Sequence, residues 1–324
     1  MRIVRFYDYG PPEVLRVDEL PDPEPQTGEV LIRVSAAGVN FTDVQIRSGA
    51  LQRLTGMPAM PLPVAPGFEV AGTIVATGPG GDIDLIGKEV LARLPGGGYA
   101  DLVVANRAAV IPIPEGMASQ TALALLTPGA TAVGVLEAAR IAPGETVLIS
   151  AAAGSVGSAL VRLASRAGAR VVGLASGDKA KAIREAGAIA AVDYQTGDWV
   201  EHVRTATGGA VDVALDSIGG SFGESVLPLL KPGRGRLVMY GFSSGQLPEI
   251  AASGLLFRSL EAIGFAQVAL PAEAQAALID RALQLGASGE LLPSTGQTFP
   301  LAEAAAAHRA IEARRTIGKT LLIP

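Results

Sequence analysis

Cysteine is absent from the chain, and histidine occurs only twice, at His202 and His308. Disulfides, thiol nucleophiles and four-cysteine zinc sites are therefore excluded. Clustered Lys and Arg are lacking too. A formal net charge of −5 presents no basic face, so nucleic-acid binding is not expected. The alanine- and valine-rich stretches are broken every few residues by Gly, Pro or charge, and no segment is expected to reach a bilayer-spanning length. A secretory pattern is missing as well, because the chain opens directly on the strand-like Met1-Arg2-Ile3-Val4-Arg5-Phe6. A cytoplasmic location is the expectation, and the lack of cysteine agrees with it.

What the chain does carry is a small-residue turn, Ser150-Ala151-Ala152-Ala153-Gly154-Ser155-Val156-Gly157. Before it, Pro143-Gly144 marks a turn, and the apolar run from Glu145 to Ser150 reads as a buried parallel strand. After it, Val156, Ala159, Leu160, Leu163 and Ala164 recur at helical spacing, with Gly168 as the stop. A second strand, Arg170 to Ala175, closes a βαβ unit of about thirty residues. Such a turn lets a pyrophosphate approach the backbone N–H groups at the positive end of the helix. Tight helix packing is the competing use of the same glycines.

At 324 residues the chain exceeds a typical single core, and two lobes are expected. Residues 1–115 read as an irregular β domain, with strands near 29–34, 68–75, 89–92 and 100–104 punctuated by Gly and Pro. From residue 116 short apolar strands alternate with helices, at 189–193, 211–216, 236–240 and 260–265, the pattern of a doubly wound parallel sheet. Residues 266–324 hold two alanine-rich helices and a final strand, 319–323, and are expected to rejoin the first lobe. The fold class is thus α/β, a Rossmann domain at 116–265 inserted in an irregular β domain formed by 1–115 and 266–324.

The chain resembles the medium-chain dehydrogenases/reductases, and within them the zinc-independent quinone oxidoreductase branch. The resemblance rests on Gly38-Val39-Asn40-Phe41-Thr42-Asp43, Pro66-Gly67-Phe68-Glu69-Val70-Ala71-Gly72, Gly98-Tyr99-Ala100-Asp101, the turn at 151–157, Asp216-Ser217-Ile218-Gly219-Gly220 and Leu321-Leu322-Ile323-Pro324, in that order. It implies that the β domain is GroES-like. Zinc-dependent relatives carry a ligand cysteine where this chain has Asn40 and a ligand histidine where it has Phe68, so no metal is expected. His202 and His308 read as ordinary helix residues. Without a Lewis acid to activate an alcohol, carbonyl or alkene reduction is the expected chemistry. Pro61 to Gly67 also looks like the vesicle amine transport protein-like branch.

The resemblance further implies a catalytic group of Asn40, Asp43 and Gln45. Asn40 is equally suited to capping a helix from Phe41, and Asp43 to a solvated helix face. Gln45 stands where many quinone oxidoreductases carry a tyrosine, and it cannot act as a general acid. The cofactor is expected to be NADPH, bound by Ala153, Gly154, Ser155, Val156, Gly157, Thr131, Tyr240, Phe242 and Ser243. Thr131 could instead bond its own helix. At the end of the second strand an NAD enzyme usually carries a carboxylate. Here Ser176-Gly177 stands there, followed by Asp178, a candidate helix cap, and the resemblance brings Lys179, Tyr194 and Arg314 around a 2′-phosphate. Residues 50–63 are the expected substrate loop.

The function expected is hydride transfer from NADPH to a quinone or another conjugated carbonyl compound, in a homodimer. The alternatives are an enoyl-thioester reductase, with Arg47, Arg53 and Arg93 as its cations, and a weakly catalytic NADPH-binding interaction protein.

Overall fold

The computed structural model describes all 324 residues, which divide into two units, 1–127 with 295–324 and 128–294. The first unit begins with β1 (Arg2–Arg5) and β2 (Arg16–Glu19), an antiparallel pair. It continues with β3 (Glu29–Val39), α1 (Phe41–Arg47), α2 (Ala50–Thr55), β4 (Glu69–Thr77), β5 (Glu89–Arg93), β6 (Leu102–Asn106), β7 (Val110–Pro112) and α3 (Ser119–Ala124). In β3 the alternation of Val30, Ile32 and Val34 with Leu31, Arg33 and Ser35 turns one face to the core, as a half-buried strand requires. That core is filled by Phe6, Val70, Ile74 and Tyr99.

The second unit consists of α4 (Ala130–Ala139), β8 (Thr146–Ile149), α5 (Ser155–Arg166), β9 (Arg170–Ala175), α6 (Ala180–Glu185), β10 (Ala190–Asp193), α7 (Trp199–Thr207), β11 (Val213–Asp216), α8 (Gly220–Val226), β12 (Arg236–Met239), α9 (Ala252–Arg258), β13 (Glu261–Gly264) and α10 (Ala272–Ala287). Its six strands are all parallel, in the order β10-β9-β8-β11-β12-β13. The strand order reverses direction between β8 and β11, the switch point at which doubly wound sheets bind ligands. Val147, Leu148 and Ile149 are buried on both faces, which explains why the strand reads as a continuous apolar run.

The chain then returns to the first unit through β14 (Thr295–Pro300), α11 (Ala304–Glu312) and β15 (Lys319–Ile323). Strand β15 lies between β14 and β3, giving the order β14-β15-β3-β4-β5-β7, with β6 also on β3.

The two compact units divide at 127 and 294. Helix α3 packs on β3, β4 and β5, while α10 packs on α4 with Leu278, Ile279 and Ala282 buried, so each goes with the sheet or helix it covers. One expectation needs correction: Ser119–Ala139 forms one apolar helix of 21 residues, long enough to cross a membrane by length and composition. Gly and Pro are expected to interrupt such apolar stretches, but here the backbone passes Pro128 through a π-helical turn at Leu125–Gly129. Most of this helix is buried against the protein itself.

Candidate active site

In the first unit three strand ends converge on Asn40. Antiparallel pairing sets the C-terminal end of β3 beside the beginnings of β4 and β15, with Ala37 opposite Val70 and Val39 opposite Thr320. Glu69 opens β4 and Lys319 opens β15, so both side chains reach the residue that follows β3. Asn40 Nδ2 donates to Glu69 Oε1 at 2.9 Å, and Lys319 Nζ donates to Asn40 Oδ1 at 2.7 Å. Lys319 also pairs directly with Glu69, and each side chain is only 1% exposed. Such a pair is stable only while both charges are present, because either one left alone in the interior is costly.

Asn40 is the N-cap residue of α1, and its backbone N–H donates to Asp43 Oδ2 at 2.7 Å. This reach of a first-turn acid back to the cap is half of a capping box. Asp43 is fully buried, so the solvated-helix alternative is wrong. The Tyr99 hydroxyl donates to Asp43 Oδ2 at 3.1 Å and meets His308 Nε2, from α11, at 3.2 Å. With its single proton given to Asp43, Tyr99 accepts from a protonated Nε2. Burial pushes the Asp43 carboxyl up to about 7 against a modest opposing effect from the Asn40 N–H and Lys319. Its Oδ1 has no hydrogen-bond partner, which leaves the charged form poorly compensated. Burial, then the Arg47 charge, lowers His308 to about 3. Arg47 is fully buried and pairs with Glu312, so it is not available as a cation for a phosphopantetheine arm. Gln45 is buried on α1. The expected substrate loop is partly helical: α2 occupies 50–55, and Met57 and Leu62 beyond it are exposed.

In the second unit the sequence-expected cofactor residues line the C-terminal edge of the parallel sheet. Ala153 is buried in the turn, Gly154 is the N-cap of α5, and Ser155, Val156 and Gly157 form its first turn, whose N–H groups have no intrahelical acceptor. A Cβ at Gly157 would lie 2.2 Å from Ala151 O, so only glycine permits the chain to wind this closely before the helix. Ser176 follows β9, and Tyr194 follows the neighbouring β10, its N–H donating to Ala175 O at 3.2 Å. Lys179 is the N-cap of α6, which removes Asp178 from that role. Tyr240, Phe242 and Ser243 follow β12, and the Ser243 N–H donates to Ser217 O at 2.9 Å. The Thr131 hydroxyl donates to Gln267 Oε1 at 3.0 Å, not to its own helix. Arg314 belongs to the first unit, exposed after α11 with φ 55°.

Sequence reading missed the staple across the switch point. Ser150 Oγ donates to Asp216 Oδ1 at 2.8 Å and accepts the Ser217 N–H at 2.8 Å, while Asp216 also accepts the N–H groups of Ile218 and Gly219. Its only sequence signal was a carboxylate ending an otherwise apolar strand.

No cluster of three or more His, Cys, Asp or Glu side chains is placed to hold a metal ion. Two family models match the chain, the alcohol dehydrogenase GroES-like domain over residues 26–115 and the zinc-binding dehydrogenase over 186–322. A quinone oxidoreductase of Pseudomonas aeruginosa is 33% identical, covering 99% of this chain and 99% of its own. The human synaptic vesicle membrane protein VAT-1 homolog is 31% identical over 93% of this chain and 80% of its own. Among solved structures, the Escherichia coli quinone oxidoreductase complexed with NADPH superposes with a TM-score of 0.89 at 30% identity, covering all of both chains. The chain belongs to the medium-chain dehydrogenase/reductase superfamily, in its zinc-independent quinone oxidoreductase branch.

The buried Asp43–Tyr99–His308 chain makes a test of stability against pH. Between about pH 4 and 6.5 the folded protein holds a proton on Asp43 and none on His308, whereas the unfolded chain holds the reverse, so the pair contributes no slope. Below that window the unfolded chain binds the extra proton and stability falls with acid. Above it, stability falls as pH rises through the Asp43 value. Asp43→Asn leaves His308 to act alone, and stability relative to the parent is expected to rise with pH across the window, by at most about 1.4 kcal/mol per pH unit. Urea unfolding at pH 4.5, 5.5 and 6.5 checks this; a difference between the two proteins that does not change with pH contradicts it.

Proposed function

We propose that this protein is an NADPH-dependent reductase that transfers hydride to a quinone or a related conjugated carbonyl compound. The observation that carries the reading is the close-wound turn before α5 at the head of a parallel sheet, in a chain whose relatives include an NADPH-bound quinone oxidoreductase along their whole length. The residues present fit the cofactor. The α5 N-terminus and Gly154 to Gly157 would take the pyrophosphate, Thr131, Tyr240, Phe242 and Ser243 the nicotinamide half, and Ser176, Lys179 and Tyr194 the 2′-phosphate. NADPH, when bound, supplies the hydride. The chain's own part is to bind, orient and stabilise charge. Asn40 has one N–H on Nδ2 not taken by Glu69, and it is suited to an acceptor oxygen on which negative charge grows. Asp43 supports Asn40 from the interior, and Gln45 supplies no proton. A quinone needs none from the protein, since its reduced oxygens take protons from water.

Loss of Arg47 to the interior counts against the enoyl-thioester alternative. We place the protein in the cytoplasm as a homodimer that binds no nucleic acid and inserts in no membrane. Support for the dimer is the unpaired outer edge of β13 and, in the same unit, Leu256, Phe257 and Val268 at 73, 84 and 79% exposed. Phe257→Glu is expected to yield a monomer in light scattering; an unchanged mass contradicts this surface.

The reading is tested by NADPH oxidation with a panel of quinones and enones. Turnover is expected with several of them, and none with any would leave the weakly catalytic, cofactor-binding alternative. For the 2′-phosphate site, one charge-assisted contact at a partly exposed position predicts that Lys179→Ala weakens NADPH binding about tenfold, with NADH binding nearly unchanged. Equal losses for both cofactors, or a parent preference for NADH, would overturn the assignment.

A further inference from the structure

We propose that Glu69 and Lys319 are positioning residues that fix the orientation of the Asn40 carboxamide and so aim its remaining N–H. The inference rests on the proposed role of Asn40 in reduction. A carboxamide has two donors and two acceptor lone pairs. One donor is given to Glu69 Oε1 and one lone pair receives Lys319 Nζ, both through charge-assisted bonds. Turning the amide by half a rotation about Cβ–Cγ would set its NH2 against the ammonium and its oxygen against the carboxylate. Both hydrogen bonds would become repulsions, so a single orientation survives. The backbone is held from the other side, because Asp43 Oδ2 accepts the Asn40 N–H.

Nothing about a structural tie between β4 and β15 requires this arrangement. The two charges neutralise each other directly, and a tie alone would leave the amide uninvolved. Instead each charge contacts the atom of Asn40 that complements it. The approach is close enough to restrict the neighbouring strand as well: a Cβ at Gly38 would lie 2.4 Å from Glu69 Oε1. That glycine is the space in which the carboxylate turns toward Asn40.

The test is a cycle of three variants read for kcat with a quinone, NADPH affinity and unfolding midpoint. Glu69→Leu with Lys319→Met removes both charges together, so neither is left buried alone. This double variant is expected to keep its unfolding midpoint and NADPH affinity while kcat falls about tenfold, the loss expected when a donor aimed at developing charge is loosened but not removed. Asn40→Ala, which removes the donor, is expected to lower kcat about a hundredfold. Combining all three substitutions should cost no more than Asn40→Ala alone, because the pair acts through that side chain. A parental kcat in the double variant, or a triple variant whose loss is the product of the two, overturns the positioning role while leaving Asn40 itself in place. A parental kcat in Asn40→Ala overturns both the role of Asn40 and the inference built on it. Should the double variant be unfolded by circular dichroism, Gly38→Ala decides in its place: it displaces the Glu69 carboxylate and removes no charge, and the same fall in kcat is expected, with a parental kcat overturning the proposal.

Discussion

A carboxylate and an ammonium held out of water at the starts of two strands govern the first unit. Glu69 and Lys319 can be buried only as a pair, and they meet only if β15 and β4 flank β3 in the observed register. Asn40 then falls between them, where β3 gives way to α1. The same register carries the first turn of α1 into the interior, where Asp43 joins Tyr99 and His308. The chemistry that can be assigned to this unit therefore depends on strand order more than on any local motif.

The second unit depends on a different constraint, the closeness of backbone to backbone at the head of the sheet. Gly157 lets the turn after β8 wind down against Ala151, and the Ser150–Asp216 staple holds the ends of β8 and β11 where the strand order reverses. Both features leave the α5 N-terminus presented at the switch point. Charge contributes little there: the turn from Ser150 to Gly157 carries no charged side chain, and what it offers an anion is backbone N–H groups.

Much of this was legible in the sequence, for identifiable reasons. The strands at 170–175 and 319–323 fall where the apolar runs end, and the βαβ unit was readable because its turn, helix and strands are consecutive. The short polar strand β14 escaped, since its alternation of exposed and half-buried residues carries no apolar stripe. The helix through Pro128 escaped because proline ordinarily ends a helix and only the π-turn lets this one continue. Contacts of long range were the least visible. Lys319 and Glu69 lie 250 positions apart, and Asp43 and Arg47 are charged residues on a short helix, a setting that usually means solvent. A lysine opening a strand that ends in Leu321-Leu322-Ile323 was the one local sign that a buried partner had to exist.

The proposed function requires that hydride pass directly from NADPH to a conjugated acceptor. Single-turnover oxidation of NADPH deuterated at the reactive carbon tests it most directly, because it isolates the chemical step from product release. Slower oxidation of the labelled cofactor by a quinone or an enone is expected, with deuterium retained on carbon in the reduced enone. Equal rates for labelled and unlabelled NADPH, with no deuterium in any carbon-reduced product, would contradict it.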